Sequence, residues 1–144
     1  MSRIKEINKL TLEKHQGDYV SWPSRSKLFV DEEDVGKTLP GYLIEKQYLL
    51  SDGNYFLITS YDCPFEEQCD LILLDAQYNQ LAKRSLSPWY YSSWNFESAQ
   101  VLGDDKILLT FNSNYFLEIT LKYKKLFSWR KIVWKRRKTD IEVN

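Results

Sequence analysis

Residues 49–59 read LLSDGNYFLIT, and this stretch predicts a strand, a tight turn and a second strand. Asp-Gly between two apolar runs is the strongest short-range signal for a β-hairpin, because both residues tolerate the turn's positive φ angles. Residues 101–110 read VLGDDKILLT and repeat the pattern 52 positions later, so that Leu50 corresponds to Leu102. The sequence therefore carries one hairpin and a second, looser copy of it.

The segments that follow the two hairpins correspond as well. Residues 71–81 match residues 116–126 at a shift of 45 positions. We therefore expect two four-strand antiparallel meanders, over residues 42–86 and 99–134, and such repeated units resemble the blades of a β-propeller. Two blades cannot close a propeller. The expected fold is an antiparallel all-β domain of about eight strands, packed as a sandwich or as one curved sheet.

The two ends of the chain are expected to lie outside this repeat. Ile4, Ile7 and Leu10 recur at roughly helical spacing, which predicts a short N-terminal helix. The acidic run at residues 31–34 is typical of a solvated turn, and residues 135–144 are expected to form a frayed tail. A length of 144 residues fits a single domain.

Charge is distributed unevenly along the chain, although 20 basic and 20 acidic residues give a net charge of zero. Residues 1–30 hold six basic and three acidic groups, residues 31–105 four and fourteen, and residues 106–144 ten and three. Such segregation favours a sided surface potential and a charged partner, unless folding interleaves the segments and cancels the field.

The N-terminus has no apolar signal segment, and no stretch of 18 residues is free of charge, so a cytoplasmic protein without a membrane span is expected. Cys63 and Cys69 are too few for a disulfide framework or a zinc site. We expect both thiols to be reduced.

The residues needed for common catalytic chemistry do not form a set. Serine or cysteine catalysis requires a base, and the single histidine, His15, is expected to be a surface residue. Residues 35–38 (VGKT) resemble the end of a phosphate-binding loop but lack its upstream glycine. We therefore expect neither an enzyme nor a bound cofactor or metal.

A candidate binding surface follows from a difference between the two copies. The shift between the copies falls from 52 to 45 positions around residues 62–70 and 112–114, which makes an insertion of seven residues in the first copy, and insertions on repeats often carry function. Residues 87–96 (SPWYYSSWNF) then present five aromatic rings, which form either part of that surface or a hydrophobic plug between the meanders. The candidate partner-binding residues are Asp62, Glu66, Glu67, Asp70, Trp89, Tyr90, Tyr91 and Trp94.

The chain resembles the immunity proteins of bacterial contact-dependent inhibition and related toxin systems. The resemblance lies in its size, its N-terminus without a signal segment, and its candidate surface of acidic and aromatic residues. That resemblance implies a cytoplasmic inhibitor that binds the basic domain of a cognate toxin, often a nuclease. The alternative is an RNA or single-stranded DNA binding module that uses the basic C-terminal third with Trp129 and Trp134. A basic last strand is also typical of a sheet edge protected from aggregation, and a scaffold role in a larger assembly stays open.

Overall fold

Antiparallel pairing connects all neighbouring strands in the computed structural model, which describes residues 4–61, 69–86, 96–111, 115–124 and 129–137. The predicted antiparallel all-β class is confirmed. The described residues form twelve strands rather than eight, together with one 3₁₀ turn at Tyr19–Ser21. The strands are β1 Ile4–Glu6, β2 Leu10–Leu12, β3 Arg25–Val30, β4 Glu33–Pro40, β5 Leu43–Leu50, β6 Tyr55–Ser60, β7 Cys69–Leu74, β8 Gln80–Leu86, β9 Phe96–Val101, β10 Lys106–Phe111, β11 Tyr115–Lys124 and β12 Trp129–Arg137.

The strands form three sheets instead of the two-layer sandwich or single curved sheet that the sequence predicts. The central sheet has the order β1-β5-β6-β7-β8, the C-terminal sheet the order β12-β11-β10-β9, and the N-terminal sheet the order β2-β3-β4. Each predicted meander corresponds to four consecutive strands lying side by side, β5–β8 and β9–β12. The additional strands come from the N-terminal third of the chain.

The central sheet is the middle layer of a stack and is covered on both faces. Its Phe56 and Leu73 belong to a core shared with the C-terminal sheet, whereas Leu57 and Ile72 belong to a second core shared with the N-terminal sheet. Strand β7 is consequently buried along its whole length, as its continuous apolar run predicts. Each fully buried Leu or Ile contributes about 1.5–3 kcal/mol through burial, so the middle layer holds much of the stabilising free energy.

Backbone bonds and strand register preserve the sequence repeat. Leu50 N donates to Asn54 O at 2.9 Å, and Leu102 N donates to Lys106 O at the same distance. The cross-strand pair Leu57–Ile72 recurs as the pair Leu109–Leu117.

The two units stack face to back. The Leu57–Ile72 pair points toward the N-terminal sheet, whereas the equivalent Leu109–Leu117 pair points toward the central sheet. Equivalent faces thus point the same way along the stack.

The predicted N-terminal helix is wrong. Residues 4–6 pair with β5 in the central sheet, and β2 alternates buried Leu10, exposed Thr11 and buried Leu12, which is the period of a strand. The helix-like spacing arises because the chain crosses between Glu6 and Leu10 from one sheet to another.

The boundaries of the basic end also differ from the prediction. Strand β12 continues to Arg137, which pairs with Phe116, so residues 135–137 belong to the sheet and not to a tail. Strand β11 extends through Lys124. Among the described residues, no helix is long and apolar enough to span a membrane.

Candidate binding surfaces

The eight predicted partner-binding residues fall in very different places. Asp70 lies in β7, where it is 1 % exposed and pairs with Thr59 and Ser85 in the register of the central sheet. The prediction requires a carboxyl on the surface, whereas the Asp70 carboxyl is buried. The other seven lie outside the described residues: Asp62, Glu66, Glu67, Trp89, Tyr90, Tyr91 and Trp94.

An exposed acidic surface exists nonetheless at one end of the stack, beginning with the turn between β3 and β4. Asp31, Glu32, Glu33 and Asp34 are all exposed there. Asp31 and Glu32 have φ angles of 50° and 71°, a left-handed conformation that a two-residue hairpin turn needs and that Asn or Gly adopts more easily. The predicted solvated turn is thus present, and it holds four consecutive carboxylates in a tight hairpin.

Contacts fix this turn beside Tyr55 of the central sheet and Tyr78 of the β7–β8 turn. Asp31 N donates to Lys9 O at 2.9 Å, and Lys9 Nζ lies 5.1 Å from the centroid of the Tyr55 ring. Tyr55 stacks on Tyr78 with centroids 5.3 Å apart. A hydrogen bond with Tyr55 raises the pKa of the Lys9 ammonium, while burial is the main cause that raises the pKa of Tyr78.

The β7–β8 turn adds a carboxylate to the same end. Asp75 Oδ1 accepts hydrogen bonds from Gln77 N and Asn79 N, each at 2.9 Å. Partial burial opposes ionisation of Asp75, but the bonds from Asn79 and Gln77 and the charge of Lys37 outweigh it and lower the pKa. Lys37 Nζ donates to Asn79 Oδ1 at 2.6 Å, which ties β4 to this turn.

The β5–β6 turn, with exposed Asp52, lies at this end too, because Tyr55 pairs with both Leu49 and Leu74. We call this surface the acidic end. It comprises Asp31, Glu32, Glu33, Asp34, Asp52, Asp75 and Tyr78.

A second candidate surface is a groove of about 480 Å³ between β2 and β5, which we call the aromatic groove. Tyr42 is the centre of its ring cluster, with centroids 5.1 Å from His15, 5.2 Å from Trp22 and 5.0 Å from Tyr61. All three contacts are edge-to-face, the arrangement that aromatic quadrupoles favour. The rings therefore form a fixed wall.

Hydrogen bonds hold the polar ends of these rings. Trp22 Nε1 donates to Gln16 O at 3.1 Å, and the Tyr42 hydroxyl donates to Pro23 O at 2.8 Å. His15 Nε2 lies 2.8 Å from Ser26 Oγ.

The bond between His15 and Ser26 also fixes the imidazole tautomer. The Ser26 hydroxyl has one hydrogen, which it donates to Gly41 O at 2.6 Å. His15 Nε2 must then be the donor to Ser26, so the Nδ1 atom of the neutral ring is an acceptor.

The connection between β4 and β5 requires glycine at Gly41. Its φ is +106°, and a Cβ atom there would lie 3.0 Å from both Cβ and Oγ1 of Thr59. This close approach seats the start of β5 on β6 and brings Tyr42 against Tyr61.

Strand edges form the other wall of the aromatic groove. Strand β1 pairs with β5 only at Tyr48–Leu50, and Ile7 N then donates to Gln47 O at 3.0 Å. In the described part of the chain, no strand lies beside the outer edge of residues 43–46.

The buried side chain of Gln47 fills the position next to β1. Its Oε1 accepts from Leu10 N at 2.8 Å, and its Nε2 donates to Leu10 O at 2.8 Å. A side-chain amide thus occupies the edge of β2 as the backbone of a neighbouring strand would.

In the residues that the structure describes, no group of three or more His, Cys, Asp or Glu side chains could hold a metal ion. The thiol of Cys69 is buried and not in a disulfide, and burial raises its pKa.

Sequence reasoning missed the aromatic groove because its rings lie at positions 15, 22, 42 and 61, with no local pattern. Comparison of the chain with protein-family models, curated proteins and solved structures finds no match.

Proposed function

We propose that this chain is an inhibitory binding protein of the immunity type, which neutralises a basic partner protein through the acidic end. The observation that carries the proposal is the gathering of six carboxylates from three separate turns around the stacked Tyr55–Tyr78 pair. Lys9 and Lys37 lie among them but leave an excess of negative charge.

The two kinds of residue have different roles in such binding. Exposed carboxylates accelerate the encounter with a basic protein, and their contribution decreases as salt screens the field. A half-buried tyrosine provides an apolar contact that slows dissociation, since aromatic residues dominate binding energy at interface centres. Tyr78 is held by its stack on Tyr55 and loses little conformational freedom on binding.

The nucleic-acid alternative has weaker support. Lys106 and Lys135 on the C-terminal sheet lie 3.6 and 3.3 Å from the carboxylate oxygens of Glu118, so both cations already have an intramolecular partner. Strand β12 is an edge strand, where basic residues also protect against unwanted pairing.

The test is co-expression of the chain with the protein encoded by the neighbouring reading frame, followed by binding kinetics on the purified pair. Rescue of cell growth and a fast, salt-dependent association are expected. The double variant Glu32→Lys/Glu33→Lys should slow association by about tenfold at low salt, and Tyr78→Ala should accelerate dissociation.

Glu97→Lys is the matched control, because it changes an exposed carboxylate on β9 of the C-terminal sheet. An equal loss in this control would indicate a general charge effect and contradict the assignment to the acidic end. Capture of RNA in place of a protein would replace the proposal with the nucleic-acid alternative.

A further inference from the structure

We propose that the aromatic groove is a second binding site, which takes an extended peptide segment of a protein partner by strand addition. This site is distinct from the acidic end. The occupant is inferred from the hydrogen-bonding groups at the groove's edges and from an interface that the fold already uses.

The edge of β2 provides backbone groups for such a segment. Glu13 N donates to Lys27 O at 2.9 Å, and Lys9 O accepts from Asp31 N at 2.9 Å, so these two groups face β3, whereas Lys9 N donates to Gln47 Oε1 at 3.0 Å. Hydrogen-bonding positions alternate along an antiparallel strand, so the N–H and C=O of Leu10 and Leu12 point the other way, toward the groove.

The Gln47 amide shows what chemistry this edge accepts. It pairs with both the N–H and the C=O of Leu10, as the C=O and N–H of one residue of an added antiparallel strand would. The corresponding groups of Leu12 lie one step further along the same edge, where the groove is open. One residue of an added strand at that position would repeat the bonding pattern that Gln47 begins.

The proposed site also lies where the pairing between β1 and β5 ends. Strand β1 follows the outer edge of β5 as far as the bond from Ile7 to Gln47, and the chain then leaves this edge and crosses to β2. A peptide paired with the edge of β2 would run beside residues 43–46, along the line that β1 vacates, and its amides of one parity would bond to β2. Peptide ligands commonly add to exposed sheet edges in this way, with pockets for alternate side chains providing specificity.

The ring cluster provides such a pocket. Trp22 and Tyr42 donate their polar hydrogens to the protein's own carbonyl groups, so the wall they offer is mainly apolar. Leu43, which is 41 % exposed, extends the apolar lining. The segment that fits is therefore extended, with an apolar or aromatic side chain directed toward the rings.

The experiment uses heptapeptides selected by display on the full chain, with counter-selection on the Trp22→Ala variant. Every second backbone amide of an extended peptide points toward the strand with which it pairs. N-methylation of that set of amides should weaken binding of a selected peptide by at least about tenfold, and N-methylation of the other set should weaken it much less. The Leu12 amide should gain protection from hydrogen exchange in the complex.

Two variants and two controls locate the site. Trp22→Ala and Leu43→Arg should each weaken peptide binding by at least about tenfold, and the second keeps the test valid if the first unfolds. Val20→Ala should bind as the unmodified chain does, because Val20 is 91 % exposed and does not line the groove. Glu32→Lys/Glu33→Lys should also leave peptide binding unchanged, which separates this proposal from the one for the acidic end.

Several results would overturn the proposal. These are equal effects of N-methylation at both parities, unchanged peptide binding by the Leu43→Arg variant, or no peptide enriched over the counter-selection.

Discussion

The two four-strand units, β5–β8 and β9–β12, place corresponding residues at the same strand register but in different surroundings. Ile58 in the first unit corresponds to Thr110 in the second, and Leu73 corresponds to Glu118. Ile58 and Leu73 are fully buried beneath the C-terminal sheet. Their counterparts lie on the face of the C-terminal sheet that points away from the central sheet.

This difference shows how a face-to-back stack ends. A middle layer needs apolar residues on both faces, whereas a terminal layer needs them only on the face toward its neighbour. Terminal units of stacked repeats carry a polar outer face for the same reason. Glu118, at the corresponding position of the C-terminal sheet, is a carboxylate that is only 7 % exposed and is held by Lys106 and Lys135.

The largest effect on stability should come from giving Leu73, in the middle layer, the residue type of its counterpart Glu118 in the C-terminal sheet. Leu73→Glu would put an unpaired carboxylate at a fully buried position between two sheets, at a cost of about 5 kcal/mol or more. That equals the total stability of many small domains, so we expect the variant not to fold. Far-UV circular dichroism and urea unfolding measure this, and a cooperative transition near that of the unmodified chain would contradict the comparison.

The hairpin turns of the two units offer a smaller contrast. Gly53 has a φ of +87°, and an added Cβ would meet no atom within 4 Å, so Gly53→Ala should cost about 1 kcal/mol through backbone conformation alone. Gly103, in the corresponding turn of the second unit, has no positive φ, and Gly103→Ala should be neutral or slightly stabilising. Urea unfolding of both variants checks the difference, and equal losses would argue against it.

Tyr48 corresponds to Gln100, which is exposed on β9. The Tyr48 hydroxyl is buried and has no hydrogen-bond partner among the residues that the structure describes. Removing it in Tyr48→Phe should therefore stabilise the protein by about 1 kcal/mol.

The same group makes stability depend on alkaline pH. Burial, with a smaller contribution from Glu6, raises the pKa of Tyr48 from 10.0 to about 12. The unfolded chain then ionises at lower pH than the folded one, so this part of the stability is complete below about pH 10 and decreases as the pH rises toward about 12. Urea midpoints measured from pH 8 to pH 11 should fall less steeply for Tyr48→Phe than for the unmodified chain. Parallel curves would contradict the assignment.

The smallest effect on stability is expected for Glu118→Leu, the reverse exchange. Glu118 is only 7 % exposed, but the side chains of Lys106 and Lys135 are 46 % and 71 % exposed, so solvent screens the lost ion pairs and they should cost about 1 kcal/mol. Leucine at this buried position, opposite Leu108 at 2 % exposure, should offset part of that loss through apolar burial. Urea unfolding measures the net change, and a loss of about 3 kcal/mol or more would show that the ion pairs behave as buried ones and contradict this expectation.

The repeated part of the fold was predictable because its signals are local. Asp52-Gly53 marks a hairpin, and the run 71–74 marks a strand covered on both faces. The N-terminal third of the fold was not predictable, because β4 contains Gly36 and ends at Pro40, and these residues usually indicate loops. Its pairing with β3 depends on tertiary packing beneath the central sheet.

The candidate sites were less accessible from the sequence than the fold. Asp70 was grouped with a charged loop, although its position in β7 buries it. His15 was expected to be a surface residue, yet it is half-buried against Tyr42 and hydrogen-bonded to Ser26. Such contacts join residues far apart in the chain, and no spacing rule indicates them.

The pairing of Ile4 with Leu50 also constrains the order of folding during synthesis. Strand β1 leaves the ribosome long before its partner exists, whereas β5 to β8 can pair as successive hairpins while they emerge. The N-terminal segment must therefore wait, with Leu10 and Leu12 exposed to other chains and to chaperones. Only after β5 is complete can Gln47 close the crossing between β1 and β2, so residues of β1 and β2, although made before β5, belong among the last to reach their native positions.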